Sequence, residues 1–380
     1  MKSLLSTSLL VLLVSFSSCD LTKKNNEFVL AQARLVDTDS VVFRFSFFGC
    51  NRVNKGDVLD SVPSTANKYV LERIFNELSA KKRKPEIFFF LGDLVLGKST
   101  NEKLDTQLKA WVSTYEENAI SKSGIEMIVV PGNHELLHEK KRKKKGKKKK
   151  QEVPLAGSSD IWLKHMQKYM PMDRDTVGSS KKMDNRLTYS FVRKNVGFIV
   201  MNTDSYNHPT KKKKYGKEGM LPTSWVIDKL NDFKINKTIE HIFVLGHRPY
   251  YVNNKAETGH GGLPSGPELW PAFEAAGVTA MLSAHKHDYQ RWQPNNKALG
   301  GGTYQIIAGN GGSQGVTPFF GYSTISIMAN GQVRLHSVGF CKGNPYYIPV
   351  PFHPTTIRDE VVLTWAKNKN TYTPSYQSCK

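Results

Sequence analysis

The sequence predicts an α/β protein built as a four-layer α/β/β/α sandwich, two mixed sheets packed together and flanked by helices. Three observations predict it. Apolar runs of strand length alternate with amphipathic helical stretches. Other runs read as antiparallel pairs, so neither sheet is purely parallel. Five apolar runs end in side chains able to bind a metal, as expected where sheet strands present their carboxyl ends to a ligand. With 380 residues, 39% of them hydrophobic, the chain is long enough to bury a large core.

The elements follow in order. Val41 to Phe48 is apolar and β-branched and ends at Gly49-Cys50. A helix capped by Ser64 or Thr65 follows, with Val70, Leu71, Ile74, Phe75 and Leu78 on one face. After Pro85, Ile87 to Leu91 forms a second buried strand and ends at Gly92-Asp93. A helix with Leu104, Leu108, Trp111, Val112 and Tyr115 leads to a strand at Met127 to Val130, which runs into Gly132-Asn133-His134-Glu135. Leu187 to Phe191 and Val196 to Met201 read as a hairpin. Ile242 to Leu245 ends at Gly246-His247, and Val278 to Leu282 ends near His285-Lys286-His287. Tyr304 to Ala308, Tyr322 to Met328 and Gln332 to Val338 alternate like strands. Beyond about Cys341 the Pro- and Tyr-rich sequence gives little organisational signal.

The strand ends suggest a chemistry. Hydrolysis of a phosphate ester near neutral pH needs a deprotonated water and neutralised phosphoryl charge, which two ions ~3.5 to 4 Å apart provide. Asp93 is placed to bridge such a pair. Asn133 offers a neutral oxygen, and His247, His285 and His287 offer imidazole nitrogens, a set that suits Fe, Zn or Mn, in a divalent or mixed-valence pair. Each element alone is an ordinary turn or loop feature. Their joint order carries the signal.

In that order the motifs Gly92-Asp93, Gly132-Asn133-His134-Glu135, Gly246-His247 and Ala284-His285-Lys286-His287 resemble those of the calcineurin-like metallophosphoesterases. Gly246-His247-Arg248-Pro249-Tyr250-Tyr251, His285 to Arg291, Ser224-Trp225-Val226 and Ala308 to Gly312 resemble segments of its purple acid phosphatase-like branch. The resemblance covers roughly residues 42 to 335. It implies that Asp93 bridges both ions, that Asn133, His247 and His285 hold the second, and that His287 holds the first. His134 then faces the leaving group as the catalytic proton donor or transition-state stabiliser, or else orients a ligand. It also implies hydrolysis of phosphate mono- or diesters by attack of a metal-bound hydroxide on phosphorus. Arg52 and Arg248 are the candidate substrate contacts.

Two positions depart from the pattern. Leu96 stands where true purple acid phosphatases have a metal-binding tyrosine. Cys50 stands where the opening aspartate is expected. A thiolate keeps the negative charge and bonds iron or zinc well, and PhoD-like alkaline phosphatases resemble this chain in using a cysteine there. A vacant first position and a buried structural thiol are the other readings of Cys50.

The remaining features concern location and partners. Lys2, the apolar stretch Leu4 to Phe16 and Ser17-Ser18-Cys19 resemble a bacterial signal peptide with a lipobox, residues 1–19, that would place a lipid on Cys19. Residues 20–41 then form a tether, 42–340 the catalytic domain and 341–380 a C-terminal extension. The expected location is the cell envelope of a bacterium, periplasmic or surface, with secretion as the alternative. Cys341 and Cys379 could pair in an oxidising compartment. Much of the formal charge of +21 is concentrated in two runs: residues 140–150, with ten Lys or Arg and one Gly, and Lys211 to Lys214. They read as solvated insertions at 138–153 and 208–218, or as arms attracting a polyanion or anionic lipid. No aromatic-basic interleaving supports specific nucleic-acid binding. A catalytically impaired surface lipoprotein that binds polyanions is the competing functional reading.

Overall fold

The structure is a computed structural model that describes residues 41–57, 62–98, 100–144, 147–178, 186–204, 221–253, 255–259, 261–294, 302–348, 350, 353–363, 371–372 and 379, with the backbone alone at 140–144, 147–151 and 371–372. The leader with Cys19, the tether before residue 41 and the run Lys211 to Lys214 lie outside the described residues. The chain divides into a leading unit, residues 1–42, and a main unit, residues 43–380. Among the described residues no helix is long and apolar enough to cross a membrane.

Strand β1 (Val41–Phe48) leads to helix α1 (Lys68–Ala80), strand β2 (Ile87–Phe90), helix α2 (Asn101–Glu117) and strand β3 (Glu126–Val129). Helix α3 (Ser158–Met166) precedes the hairpin of β4 (Tyr189–Arg193) and β5 (Val196–Met201). Helix α4 (Thr223–Ile235), strand β6 (His241–Gly246), helix α5 (Gly266–Ala276) and strand β7 (Val278–Ser283) complete the second repeat. Strands β8 (Tyr289–Gln293), β9 (Tyr304–Ala308), β10 (Phe319–Met328), β11 (Val333–Cys341) and β12 (Thr356–Val362) close the fold.

The first sheet runs β12-β11-β10-β1-β2-β3, and the core of the second runs β8-β9-β7-β6-β5-β4. Both are mixed. β1, β2 and β3 are parallel while β10, β11 and β12 are antiparallel. In the second sheet β9, β7, β6 and β5 are parallel, with antiparallel pairing at β8 and β4. The four-layer α/β/β/α sandwich expected from the sequence is therefore the fold found.

The two-residue period of the strands separates the layers. On β2, Phe89 packs toward the second sheet at 5.2 Å from Phe198, while Phe88 and Phe90 face the helices, 5.7 Å from Phe75 and 5.3 Å from Trp111. Phe45 fills the seam between the sheets, edge-on to Phe198 at 5.2 Å and to Phe243 at 5.1 Å. On β5 the alternation is equally plain. Phe198 and Val200 join the central core, and Ile199 and Met201 join the outer core made with Val226, Leu230 and Phe273 of α4 and α5.

Three features differ from expectation. Helix α1 begins at Lys68 with Asn67 at its N-cap, because Thr65 takes φ +54° and its hydroxyl accepts the backbone N–H of Leu96 at 2.8 Å. The basic run is carried on an antiparallel ribbon, Leu137–Lys144 against Lys147–Pro154. Past Cys341, where little organisation was expected, the chain supplies β12, the edge strand of the first sheet; the bond between Cys341 and Cys379, by contrast, is the pairing the sequence suggested.

Candidate metal centre

All of the predicted ligands sit at the carboxyl ends of parallel strands or in the turns that follow them. Backbone hydrogen bonds draw these ends together: Cys50 N–H donates to Gly92 O at 2.9 Å, and Asn51 N–H to Asp93 O at 2.9 Å. Cys50, Asp93 and His285 all take left-handed backbone angles, with φ of +57°, +58° and +61°. Non-glycine residues adopt this region at a cost, and such strain gathers at functional sites. Gly132 has no side chain because a Cβ there would fall on Asp93 Oδ1. One ligand atom each from Cys50, Asp93 and His247 lies within 4.8 Å of the others, and all three residues are buried.

The tightest convergence involves four atoms. His247 Nε2 is 3.2 Å from Asp93 Oδ1 and 3.1 Å from Asn133 Oδ1. His285 Nδ1 is 3.1 Å from that same Asn133 oxygen and 3.2 Å from His247 Nε2. Four donors bound tetrahedrally at ~2.0–2.1 Å would be separated by about 3.3 Å, so the spacing fits one ion. Their chemistry also fits. His247 gives its Nδ1–H to Leu91 O at 2.7 Å, which turns the Nε2 lone pair inward. Asn133 donates its amide to Glu152 Oε1 at 2.8 Å, which fixes Oδ1 toward the two rings. Burial opposes a charge on His247, but the Asp93 carboxylate outweighs it and lifts the pKa to about 9, so an ion must displace a proton to take Nε2. Burial and the Arg248 charge hold His285 well below the usual histidine range.

The other predicted residues surround this cluster. The Cys50 thiol is pushed up by burial and then by the Asp93 charge, with Arg52 opposing. His287 gives Nδ1–H to Gln314 O at 2.6 Å, and its Nε2 faces Arg52 Nη2 at 3.4 Å. His134 donates Nδ1–H to Leu96 O at 2.5 Å and its backbone N–H to Asp93 Oδ1 at 3.1 Å, leaving Nε2 3.9 Å from Asp93 Oδ2. Burial keeps its ring well below the usual pKa. Arg248, expected to meet substrate, is buried: Nε donates to Asp204 Oδ1 at 2.5 Å, Nη2 donates to Glu152 Oε2 at 3.2 Å, and Nη1 is 3.3 Å from His285 Nε2. That arrangement braces His285.

Three carboxylates were missed in the sequence. Glu152 comes from the base of the basic ribbon and pairs with Lys98 as well as Arg248. Nothing in a run of lysines marks it. Asp204 lies three residues after the end of β5, so the strand-end rule applied to Val196–Met201 would have found it. Glu135, noted only as the last letter of a motif, accepts backbone N–H groups from Gly132, Asp93 and Val95.

Comparison with known proteins identifies the family. A family model described as calcineurin-like phosphoesterase matches residues 56–289, and the chain belongs to that family. Members are phosphoester hydrolases with a dinuclear metal centre. Among solved structures, the chain is similar to the purple acid phosphatase PPD1 of yellow lupin (Lupinus luteus) seeds, with a TM-score of 0.51 and 16% identity over 79% of this chain and 52% of that one. It thus spans about half the length of the lupin protein, and a likeness at this identity speaks for the fold. Weaker likenesses are to GAP50, the anchor in the inner membrane complex of Plasmodium (TM-score 0.44, 14% identity, 86% of this chain and 90% of that one), and to a putative 5'-nucleotidase from Staphylococcus aureus (TM-score 0.42, 13% identity, 87% and 55%). No curated protein sequence matches the chain.

Proposed function

We propose that the protein hydrolyses phosphate mono- or diesters at the cell envelope, with one ion held by Asp93, Asn133, His247 and His285 and the other by Cys50, Asp93 and His287. The observation that carries this reading is the set of four short contacts, 3.1–3.2 Å each, that link the donor atoms of Asn133, His247 and His285 to one another and His247 to Asp93. Oxygen and nitrogen lone pairs gathered at this distance in a buried site call for a cation. When bound, two such ions supply charge neutralisation at the phosphoryl oxygens and a nucleophile at neutral pH. The protein's own residues do the rest. Asp93 directs Oδ1 to one half of the site and Oδ2 to the other, and Glu152 and Leu91 O fix the donor atoms of Asn133 and His247. His134 Nε2 stands 3.9 Å from Asp93 Oδ2 and would exchange the proton with the ester.

The envelope location rests on the lipobox-like Cys19, which would anchor the chain in a membrane, and is supported by the Cys341–Cys379 disulfide, which suits an oxidising compartment. The run at 140–150 extends as a ribbon from the base that carries Glu152, and with Lys211 to Lys214 it would draw anionic lipid or a polyanionic substrate toward the site.

The direct test is turnover of an aryl phosphate and its diester by purified protein supplied with Mn, Zn or Fe. Hydrolysis should require added metal and stop on chelation. No turnover with any metal, combined with tight polyanion binding, would favour the impaired binding protein instead. His134→Gln should lower kcat/KM about 100-fold while bound metal stays unchanged. Unaltered turnover in that variant would remove His134 from the chemistry.

A further inference from the structure

One half of the site already holds a cation of the protein's own. The guanidinium of Arg52 stands between Asp93 and His287, with Nε 3.8 Å from Asp93 Oδ2 and Nη2 3.4 Å from His287 Nε2. Because His287 spends its Nδ1–H on Gln314 O, Nε2 is a lone pair and Arg52 is the donor. Two of the atoms assigned to the first ion are thus covered by one positive group.

The hold on that group is loose. Nη1 reaches Asn54 Oδ1 at 3.3 Å and Val53 O at 3.5 Å, and Nε is buried without a hydrogen-bond partner. The Arg52 side chain is 14% exposed against 2% for Asp93, so it has a route outward. Its backbone, in contrast, is pinned: the N–H donates to Asp93 O at 3.2 Å and the carbonyl accepts Ser313 Oγ–H at 2.7 Å. The side chain can therefore move without disturbing the loop. A phosphate group offers what the present partners do not, two anionic oxygens matched to a planar fork.

We infer that Arg52 competes with the first ion for Asp93 and His287, and that a phosphate group relieves the competition by taking the guanidinium onto its own oxygens. Ion binding at that position and phosphate binding are then linked, and each tightens the other by the same factor. The inference rests on the two-ion reading above, deepening it by naming how the second half of the centre is loaded.

The test uses the full chain and counts ions. Protein is dialysed to equilibrium against a Mn2+ series with and without inorganic phosphate, and bound metal is read by elemental analysis. Wild type should hold one ion without phosphate and two with it. Arg52→Gln should hold two without phosphate, binding the later ion about tenfold more tightly than wild type does. Arg52→Ala repeats the comparison, with melting curves checking that both variants fold. Should neither variant fold, two ions in wild type without phosphate would still overturn the competition. Two ions in wild type without phosphate, or the same phosphate dependence in wild type and variants, would overturn the competition and leave the metal centre standing. No bound metal in any sample would overturn the inference and the two-ion reading together.

Discussion

Asp93→Asn is expected to lower kcat/KM on an aryl phosphate by about 1000-fold or more, the scale on which loss of one preorganised electrostatic partner is felt, and to deplete bound metal. The carboxylate touches both halves of the site. Oδ1 is 3.2 Å from His247 Nε2 and accepts the His134 N–H, while Oδ2 lies 3.8 Å from Arg52 Nε and 3.9 Å from His134 Nε2. Burial works against its charge, yet His247, His134 and Arg52 outweigh burial and hold its pKa well below the usual carboxylate range. It is therefore ionised at any working pH. Asparagine is nearly isosteric and among the few side chains that tolerate φ near +58°, so the turn should survive. What the substitution removes is the negative charge shared by the two halves of the site. Kinetics, elemental analysis and a melting curve on one preparation separate these effects. Full turnover in a variant with depleted metal would contradict the proposed hydrolase.

The fold was legible because its layers are written in short periods. A buried parallel strand reads as a nearly continuous apolar run; β2 and β6 have one, and β1 and β7 are interrupted only by Arg44, Ser46 and Thr279, so their ends could be placed to within a residue or two. Gly49-Cys50, Gly92-Asp93 and Gly246-His247 follow directly. What stayed hidden depends on where a side chain goes after its strand ends. Arg52 and Arg248 read alike in sequence, as cations beside a ligand. In the structure one covers Asp93 and His287, and the other is clamped by Asp204 and Glu152. That difference is set by carboxylates more than 40 residues away from Arg248. The start of α1 was misplaced for a related reason: Thr65 looks like a helix cap, but its hydroxyl serves the loop after Asp93. Strand β12 was obscured by surrounding Pro and Tyr and by its own mixed run Thr356–Val362.

The second large effect is on stability and falls on Glu135→Ala. This buried carboxylate joins the two ligand loops after β2 and β3: Oε2 accepts N–H groups from Gly132 at 2.8 Å and Asp93 at 3.1 Å, and Oε1 accepts from Val95 at 3.2 Å. Truncation leaves three buried N–H groups without an acceptor, each worth about 1–3 kcal/mol, so a loss of about 3 kcal/mol or more is expected together with weaker metal binding. Glutamine separates charge from geometry. Its amide oxygen can keep the doubly accepting position toward Gly132 and Asp93, which sets only its NH2 against the Val95 N–H. Burial and the neighbouring Asp93 charge raise the Glu135 pKa to about 7, so removing the charge also relieves a repulsion. Glu135→Gln should therefore lose about 1 kcal/mol and retain its metal. Denaturant unfolding should rank wild type above Gln and Gln well above Ala. If Ala unfolds with wild type, the two loops are held by their strands alone, and Asp93 and Asn133 do not depend on this carboxylate for their spacing.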